Sequence, residues 1–210
     1  MKKASIAILA VLIFDQVLKF WIKTSFLIGQ EVHVFDNWFI LHFTENEGMA
    51  FGMTFGGKAG KLILSIFRII AIIVIGFYIS RLDKRKAPVG LIISFALIMA
   101  GAIGNIIDSA IYGLIFSDSS YHSIATLFPQ GGGYAPFLHG RVVDMLYFPI
   151  VDTILPKWIP LWGGEHFVFF RPVFNVADSS ITIGVLMLII FQKRFFKKRD
   201  IPPADVTTSV

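Results

Sequence analysis

Four long apolar stretches constrain the fold of this chain more than any other feature. They cover approximately residues 4–22, 62–80, 87–107 and 173–192. Each approaches the ~20 residues that an α-helix needs to cross a bilayer. The composition agrees, because 55% of the residues are hydrophobic and 16% are charged, whereas soluble domains carry about 25% charged residues. We therefore predict an all-α membrane protein with four transmembrane helices, folded as a single domain over residues 1–210.

The first apolar stretch has the length and basic start of a secretory signal peptide. However, Asp15 and Lys19 interrupt it, and no small-residue cleavage site follows. We therefore predict that it is retained as the first transmembrane helix.

The basic residues predict the orientation of the four helices. Eleven of the 19 lysines and arginines lie on one side of the four-span arrangement, within residues 2–3, 81–86 and 193–199. The positive-inside rule makes this side cytoplasmic. We predict that both termini are cytoplasmic, and that the net charge of +5 reflects topology and not a nucleic-acid partner.

Two segments then lie on the extracytoplasmic side. Residues 24–61 contain short alternations of apolar and polar residues around Val32–Val34 and Phe39–Phe43, which predict a small β-rich subdomain. Residues 109–172 form an extended outer loop rich in glycine, proline and aromatic residues. Trp158 and Trp162 favour a platform at the membrane interface over a loop without function. The tail, from about residue 200 to 210, is predicted to be disordered.

Polar residues in three of the helices lie at a similar depth. With a rise of ~1.5 Å per residue, they lie roughly 18–28 Å from the cytoplasmic ends, in the outer third of a ~30 Å hydrocarbon core. These residues are Asp15, Lys19, Asn105, Asp108, Asn175 and Asp178. We infer a site at this depth.

Asp15 and Lys19 form either a structural ion pair, with Lys19 reaching outward, or a part of the site. Arg68 contacts lipid phosphate or neutralises an acid, and we favour a structural role for it.

Asp178 carries the main functional hypothesis, because a charge within a membrane helix costs at least ~2.5–3.5 kcal/mol on insertion scales. Asp144 lies about thirty residues earlier in the chain. Two neighbouring carboxyl groups that share a proton can activate water and polarise a carbonyl group, as in aspartic proteases. The chain has no cysteine and no His-Glu-x-x-His motif, so we predict a site without a thiol nucleophile, metal or cofactor.

Two other classes of function are compatible with these residues. The first is a proton-coupled transporter or channel component that uses Asp15, Lys19 and Asp178 as a relay. The second is a scaffolding membrane protein without turnover. Asp144 discriminates among the hypotheses, because a carboxylate pair needs this loop residue and a relay does not.

Five polar motifs follow one another along the chain: Asp15-Gln-Val-Leu-Lys19, Thr44-Glu-Asn-Glu-Gly-Met-Ala-Phe-Gly52, Gly104-Asn-Ile-Ile-Asp108, Gly140-Arg-Val-Val-Asp144 and Phe174-Asn-Val-Ala-Asp178. In this order they resemble the motifs of the bacterial lipoprotein signal peptidases, the signal peptidase II family of aspartyl endopeptidases. The resemblance covers nearly the whole chain apart from the outer loop and the tail.

The resemblance implies that Asp144 and Asp178 are the catalytic pair. It also implies residues that bind substrate or support the pair, and we include among these Asn46, Gly48, Asn105, Asp108, Arg141, Asn175, Asp15 and Lys19. The implied substrate is a prolipoprotein whose lipobox cysteine carries diacylglycerol, cut just before that cysteine. We further expect contact with membrane lipid, inhibition by cyclic peptides such as globomycin, a monomeric state, and a multi-pass location in the bacterial inner membrane with the site near the extracytoplasmic face.

The sequence departs from the family pattern in two places. The family commonly has arginine after the third-helix aspartate, where this chain has Ser109. Whether Arg141 supplies that charge is left open by the sequence. In addition, residues 117–139 and 149–171 exceed the compact outer loop of the family.

Overall fold

The computed structural model describes residues 1–47, 57–169 and 172–196. Gly48 and the predicted disordered tail therefore lie outside the described residues. The described chain consists of apolar helices that carry a small antiparallel sheet at one end.

The helices follow the apolar stretches of the sequence and extend beyond most of them. Helix α1 is Lys2–Ser25, α2 is Gly57–Lys84 and α3 is Val89–Ile107. A π-helical turn, Asp108–Tyr112, and a short helix α4, Gly113–Ile115, continue α3 without a break. Helices α5, Val176–Ile190, and α6, Gln192–Phe195, close the described chain.

In the part of the chain that the structure describes, three helical segments are long and apolar enough to cross a membrane, namely Lys2–Ser25, Ala59–Lys84 and Val89–Ile115. Helix α5 is apolar as well but has only 15 residues. The prediction of membrane-spanning helices is therefore confirmed.

The last helix begins later than the sequence indicated. Val173–Phe174 form a strand, β6, and Asn175 has extended backbone angles and is the N-cap of α5. A short apolar run does not distinguish a strand from a helix, so the expected start of the helix at residue 173 was wrong. The correction places Asn175 at the junction between sheet and membrane helix.

The sheet confirms the expected β-rich region. Its strands are β1 (Glu31–Phe35), β2 (Phe39–Asn46), β3 (Val142–Tyr147) and β6, in that spatial order, and all neighbours are antiparallel. Strands β4 (Val151–Ile154) and β5 (His166–Phe169) form a separate hairpin within the outer loop. The loop that closes this hairpin exposes Trp158 and Trp162.

Helix α3 is the central element, since it packs against α1, α2 and α5. Two apolar clusters of the described residues stabilise the fold, and we name them by their distance from the sheet. The outer cluster lies between the sheet and the nearby ends of α1 and the π turn, and its fully buried members include Phe43, Phe116 and Met145. The inner cluster joins the ends of α1, α2 and α3 that lie far from the sheet. Between the two clusters lies a set of buried polar side chains.

Candidate active site

Asp144 is a buried carboxylate in the middle of β3. Only 2% of the residue is exposed. One of its oxygens, Oδ1, accepts a hydrogen bond of 2.7 Å from Nδ2 of Asn175, and Oδ2 accepts one from Nδ2 of Asn46. Burial raises the pKa of Asp144 well above its ordinary value, and the negative charge of Asp178 raises this pKa further. Asp144 therefore favours its protonated form far more than an exposed aspartate does.

Asp178 lies in the first turn of α5 and is half-buried. Its Oδ1 accepts a hydrogen bond of 2.8 Å from Nδ2 of Asn105, on α3. Its backbone N–H donates to Oδ1 of Asn175 at 2.8 Å, which is the capping bond of the helix. The N-cap therefore orients the same turn that carries the carboxylate.

Two asparagine amides connect the two carboxylates. Nδ2 of Asn175, which donates to Asp144, also lies 3.2 Å from Oδ1 of Asn105, and Asn105 in turn donates to Asp178. The result is a continuous chain, Asp144–Asn175–Asn105–Asp178, contributed by β3, the N-cap of α5, and α3. Residues far apart in sequence are thus brought into one site. We call its two acids, Asp144 and Asp178, the carboxylate pair.

Lys19 lies beneath this chain and is completely buried. Its ammonium group contacts Oδ2 of Asp108 at 2.8 Å, Oδ2 of Asp15 at 3.0 Å and Oδ1 of Asn105 at 3.0 Å. These three partners match its three donors. Lys19 and Asp15 do form the ion pair expected from their spacing, but Lys19 points into the protein and does not reach outward.

Asp15 and Asp108 connect this ion cluster to the backbone around the carboxylate pair. Oδ1 of Asp15 accepts from the backbone N–H of Ala177 at 2.8 Å, at the free N-terminus of α5. Oδ2 of Asp108 accepts from the N–H of Val143 at 3.2 Å, directly before Asp144. A lysine and two acids therefore position the two segments that carry the pair.

Gln16 is a half-buried contributor for which the sequence predicted no role. Its Nε2 donates to Oδ1 of Asp108 at 3.0 Å and to Oδ2 of Asp15 at 3.1 Å, and its Oε1 accepts from the hydroxyl of Tyr112 at 3.2 Å. A glutamine within an apolar helix was the available signal. Gly104 permits this arrangement, since a Cβ there would lie 2.7 Å from Oδ2 of Asp15.

The sequence left open which groups Arg141 and Arg68 contact. Arg141 contacts Glu45 and Asp118, and Ser109 is buried with its hydroxyl bonded to the backbone of α3. Arg68 is half-buried on α2, and its contact with either lipid phosphate or an acid stays a prediction.

The geometry defines a class of protein: a helical membrane protein in which two carboxyl groups, linked through two asparagine amides, lie where a small sheet meets the helix bundle. Among the described residues, no three histidine or acidic side chains are grouped as a metal site would require. Comparisons with known proteins identify the family. A family model described as signal peptidase (SPase) II matches residues 7–194, and the chain belongs to this family. It is therefore a peptidase, a hydrolase.

Relatives and solved structures agree with this assignment. The lipoprotein signal peptidase of Porphyromonas gingivalis is 50% identical over 194 residues, which cover 92% of this chain and 84% of the relative. That of Amoebophilus asiaticus is 39% identical over 188 residues, covering 88% and 75% of the two chains. A bacterial membrane enzyme solved by the in meso method is 26% identical with a TM-score of 0.58, covering 95% of this chain and 96% of the other.

Proposed function

We propose that this enzyme removes the signal peptide from prolipoproteins in the bacterial inner membrane, cutting just before a diacylglyceryl-modified cysteine. The family and its curated relatives, named lipoprotein signal peptidases, support the substrate class. The observation that carries the mechanism is the chain of hydrogen bonds from Asp144 through two asparagines to Asp178. It holds two carboxyl groups in one site, as water-activating aspartyl chemistry requires.

In the proposed mechanism the pair shares one proton. Asp144, whose pKa is raised by burial and by Asp178, holds this proton and donates it to the oxygen of the scissile carbonyl. Asp178 accepts a proton from the attacking water, whose oxygen forms a bond to the carbonyl carbon. When the tetrahedral intermediate collapses, the C–N bond breaks and Asp178 returns its proton to the departing amine. Asp144 recovers its own proton from the hydroxyl group as the carbonyl reforms.

The remaining polar residues of the site position this pair. Asn46, Asn105 and Asn175 donate to the carboxylates directly, whereas Asp15, Lys19 and Asp108 fix the backbone on either side. Gly48, outside the described residues, is expected from the family resemblance to contribute to substrate binding. Cyclic peptides such as globomycin are expected to compete with substrate for the site, and the enzyme is expected to act as a monomer without metal or nucleic acid.

We also propose that α5 completes a fourth span, with both termini cytoplasmic and the carboxylate pair near the extracytoplasmic face. The basic clusters around residues 81–86 and 193–199 support this orientation. A substrate anchored by its diacylglycerol would then meet the pair in the outer leaflet. The chain lacks cysteine, so Asp36→Cys and Arg85→Cys can be labelled singly in intact cells. An impermeant maleimide should label only the cysteine at residue 36, and labelling only at residue 85 would reverse the orientation.

The decisive experiment follows cleavage of a lipid-modified lipobox precursor by purified enzyme on a gel. General acid–base catalysis contributes ~10²–10⁴-fold in rate. Asp144→Asn and Asp178→Asn should therefore each lower turnover by at least ~10²-fold. Globomycin should abolish wild-type cleavage, and EDTA should leave it unchanged.

Asp36→Asn provides the matched control, because Asp36 is an exposed acid in the turn between β1 and β2. It should retain wild-type turnover. Circular dichroism and inserted amounts of each variant establish that loss of turnover is not loss of protein. Full activity of either site variant would rule out the two-carboxylate mechanism, and activity lost to EDTA would favour a metal enzyme.

A further inference from the structure

A second charge cluster, built around the buried side chains of Lys23 and Glu45, lies on the opposite face of the sheet from the carboxylate pair. Antiparallel register pairs Thr44 with Asp144 and Asn46 with Val142, so these side chains share one face, the site face. Glu45 and Val143 are also partners and project from the other, the back face. The carboxylate of Glu45 is 1% exposed, although the residue lies on the outer sheet of a membrane protein.

The Glu45 carboxylate is held by two cations. Its Oε1 contacts Nζ of Lys23, which is completely buried, and its Oε2 lies 3.3 Å from the guanidinium of Arg141, a charge contact without a hydrogen bond among the described residues. Lys23 belongs to α1, one helical turn after Lys19, which contacts Asn105 between the two carboxylates. Successive turns of α1 thus reach the site and Glu45 on the back face.

The long outer loop supplies the remaining partners of this cluster. The hydroxyl of Ser119 accepts from Lys23 at 2.8 Å and donates to Glu45 at 3.1 Å. Asp118 pairs with Arg141. The ring of Tyr134 lies 4.9 Å from Nζ of Lys23 and 4.6 Å from the guanidinium of Arg141, and its hydroxyl accepts from the backbone N–H of Arg141 at 2.7 Å. We call these six residues the back-face clamp: Lys23, Glu45, Asp118, Ser119, Tyr134 and Arg141.

The clamp contacts both strands of the site immediately beside its functional residues. Glu45 precedes Asn46, which donates to Asp144, and Arg141 precedes β3, three residues before Asp144. A shift of β2 relative to β3 would therefore separate Asn46 from the carboxylate. Lys23 and Glu45 are both buried, and breaking a buried ion pair is costly, so this contact resists displacement of β2 from α1. Arg141 and Asp118 are 26% and 67% exposed and form the solvent-facing part of the clamp.

We infer that Glu45 is a positioning residue for Asp144, acting through Asn46, and that residues 117–141 of the outer loop brace the back of the catalytic sheet. This inference rests on the proposed function. It also assigns Arg141 to the clamp, where its guanidinium contacts Glu45 and Asp118.

The test is a double-mutant cycle on cleavage of the lipid-modified precursor. A misplacement of about 1 Å can cost ~100-fold in rate, so Glu45→Gln should lower kcat by ~10–100-fold while KM changes less than about twofold. The alkaline limb of the rate should move to higher pH, because loss of a donor to Asp144 raises its pKa. In an Asn46→Ala background, Glu45→Gln should cause little further loss, since interacting residues are not additive.

The controls separate positioning from folding. Glu31→Gln makes the same chemical change on the neighbouring strand β1, where Glu31 is exposed and pairs with His42, and it should leave kcat unchanged. If Glu45→Gln does not fold, Arg141→Gln takes its place, because Lys23 still neutralises Glu45 in that variant. Arg141→Gln should show the same dependence on Asn46.

Wild-type kcat in Glu45→Gln, or losses that simply add in the double variant, would overturn the inference. A lowered melting temperature with an unchanged pH profile would assign the clamp to stability alone. These outcomes are distinct from failure of the proposed function, in which wild-type enzyme would not cut the precursor or Asp144→Asn would remain active.

Discussion

The outer and inner ends of the helix bundle are held together by different means. The inner end is an apolar cluster of Ala4, Ile79, Leu82, Leu91, Ile92 and Ala96. The outer end buries a polar set that includes Asp15, Lys19, Asn105, Asp108, Asp144 and Asn175. Apolar contacts are non-directional and tolerate exchange of similar side chains, whereas each buried polar group depends on particular partners. The comparison predicts that the outer end both carries the activity and tolerates conservative substitutions least.

Lys19→Met should give the largest loss of stability. It leaves Asp15 and Asp108 buried without their common cation, and removing one partner of a buried ion pair costs ~3–5 kcal/mol. For a chain of this size the melting temperature should fall by roughly 6–20 °C, measured by thermal unfolding in detergent. Ile79→Val, in the inner cluster, should cost only ~0.5–1.5 kcal/mol. Equal losses at the two ends would contradict the comparison.

Gly184→Ala should give an intermediate effect, confined to stability. A Cβ at Gly184 would lie 2.6 Å from the backbone oxygen of Ser94 on α3, so α3 and α5 would have to separate, at a cost of ~1–3 kcal/mol. The turnover of the folded fraction should be unchanged. Gly131→Ala is the matched control, because a Cβ there meets no atom within 4 Å. A change in the pH profile of Gly184→Ala would show that inner packing also tunes the site.

Asn175→Ser should give the most specific effect, a change in the pH dependence of cleavage. Serine can still cap α5, but it removes the amide that donates to Asp144 and lowers the pKa of this carboxyl group. The pKa of Asp144 should rise, so the shared proton is retained to higher pH. The alkaline limb of kcat/KM should then move upward by on the order of one pH unit. A limb that stays in place or moves to lower pH would contradict the assignment of the proton to Asp144.

Helices and strands were predictable where local periodicity and composition specify them. The apolar stretches located α1, α2 and α3, although α1 extends to Lys2–Ser25 and the continuation of α3 through Asp108–Tyr112 was not foreseen. Strands β1 and β2 followed from their alternation. The start of the last helix was misplaced because Val173–Phe174 are equally apolar in a strand or a helix, and only their pairing with β3 determines which they form.

The sequence by itself determined that the chain is a membrane protein of this family. It also identified the polar residues that are candidates for the site, because helix periodicity and motif spacing are local properties. Only the tertiary structure decided the partners. Lys19 faces inward, Gln16 joins the ion cluster, and Arg141 contacts Glu45 on the back face. Partner choice depends on which helix faces and strand registers come together across more than a hundred residues of chain, and no local pattern encodes that.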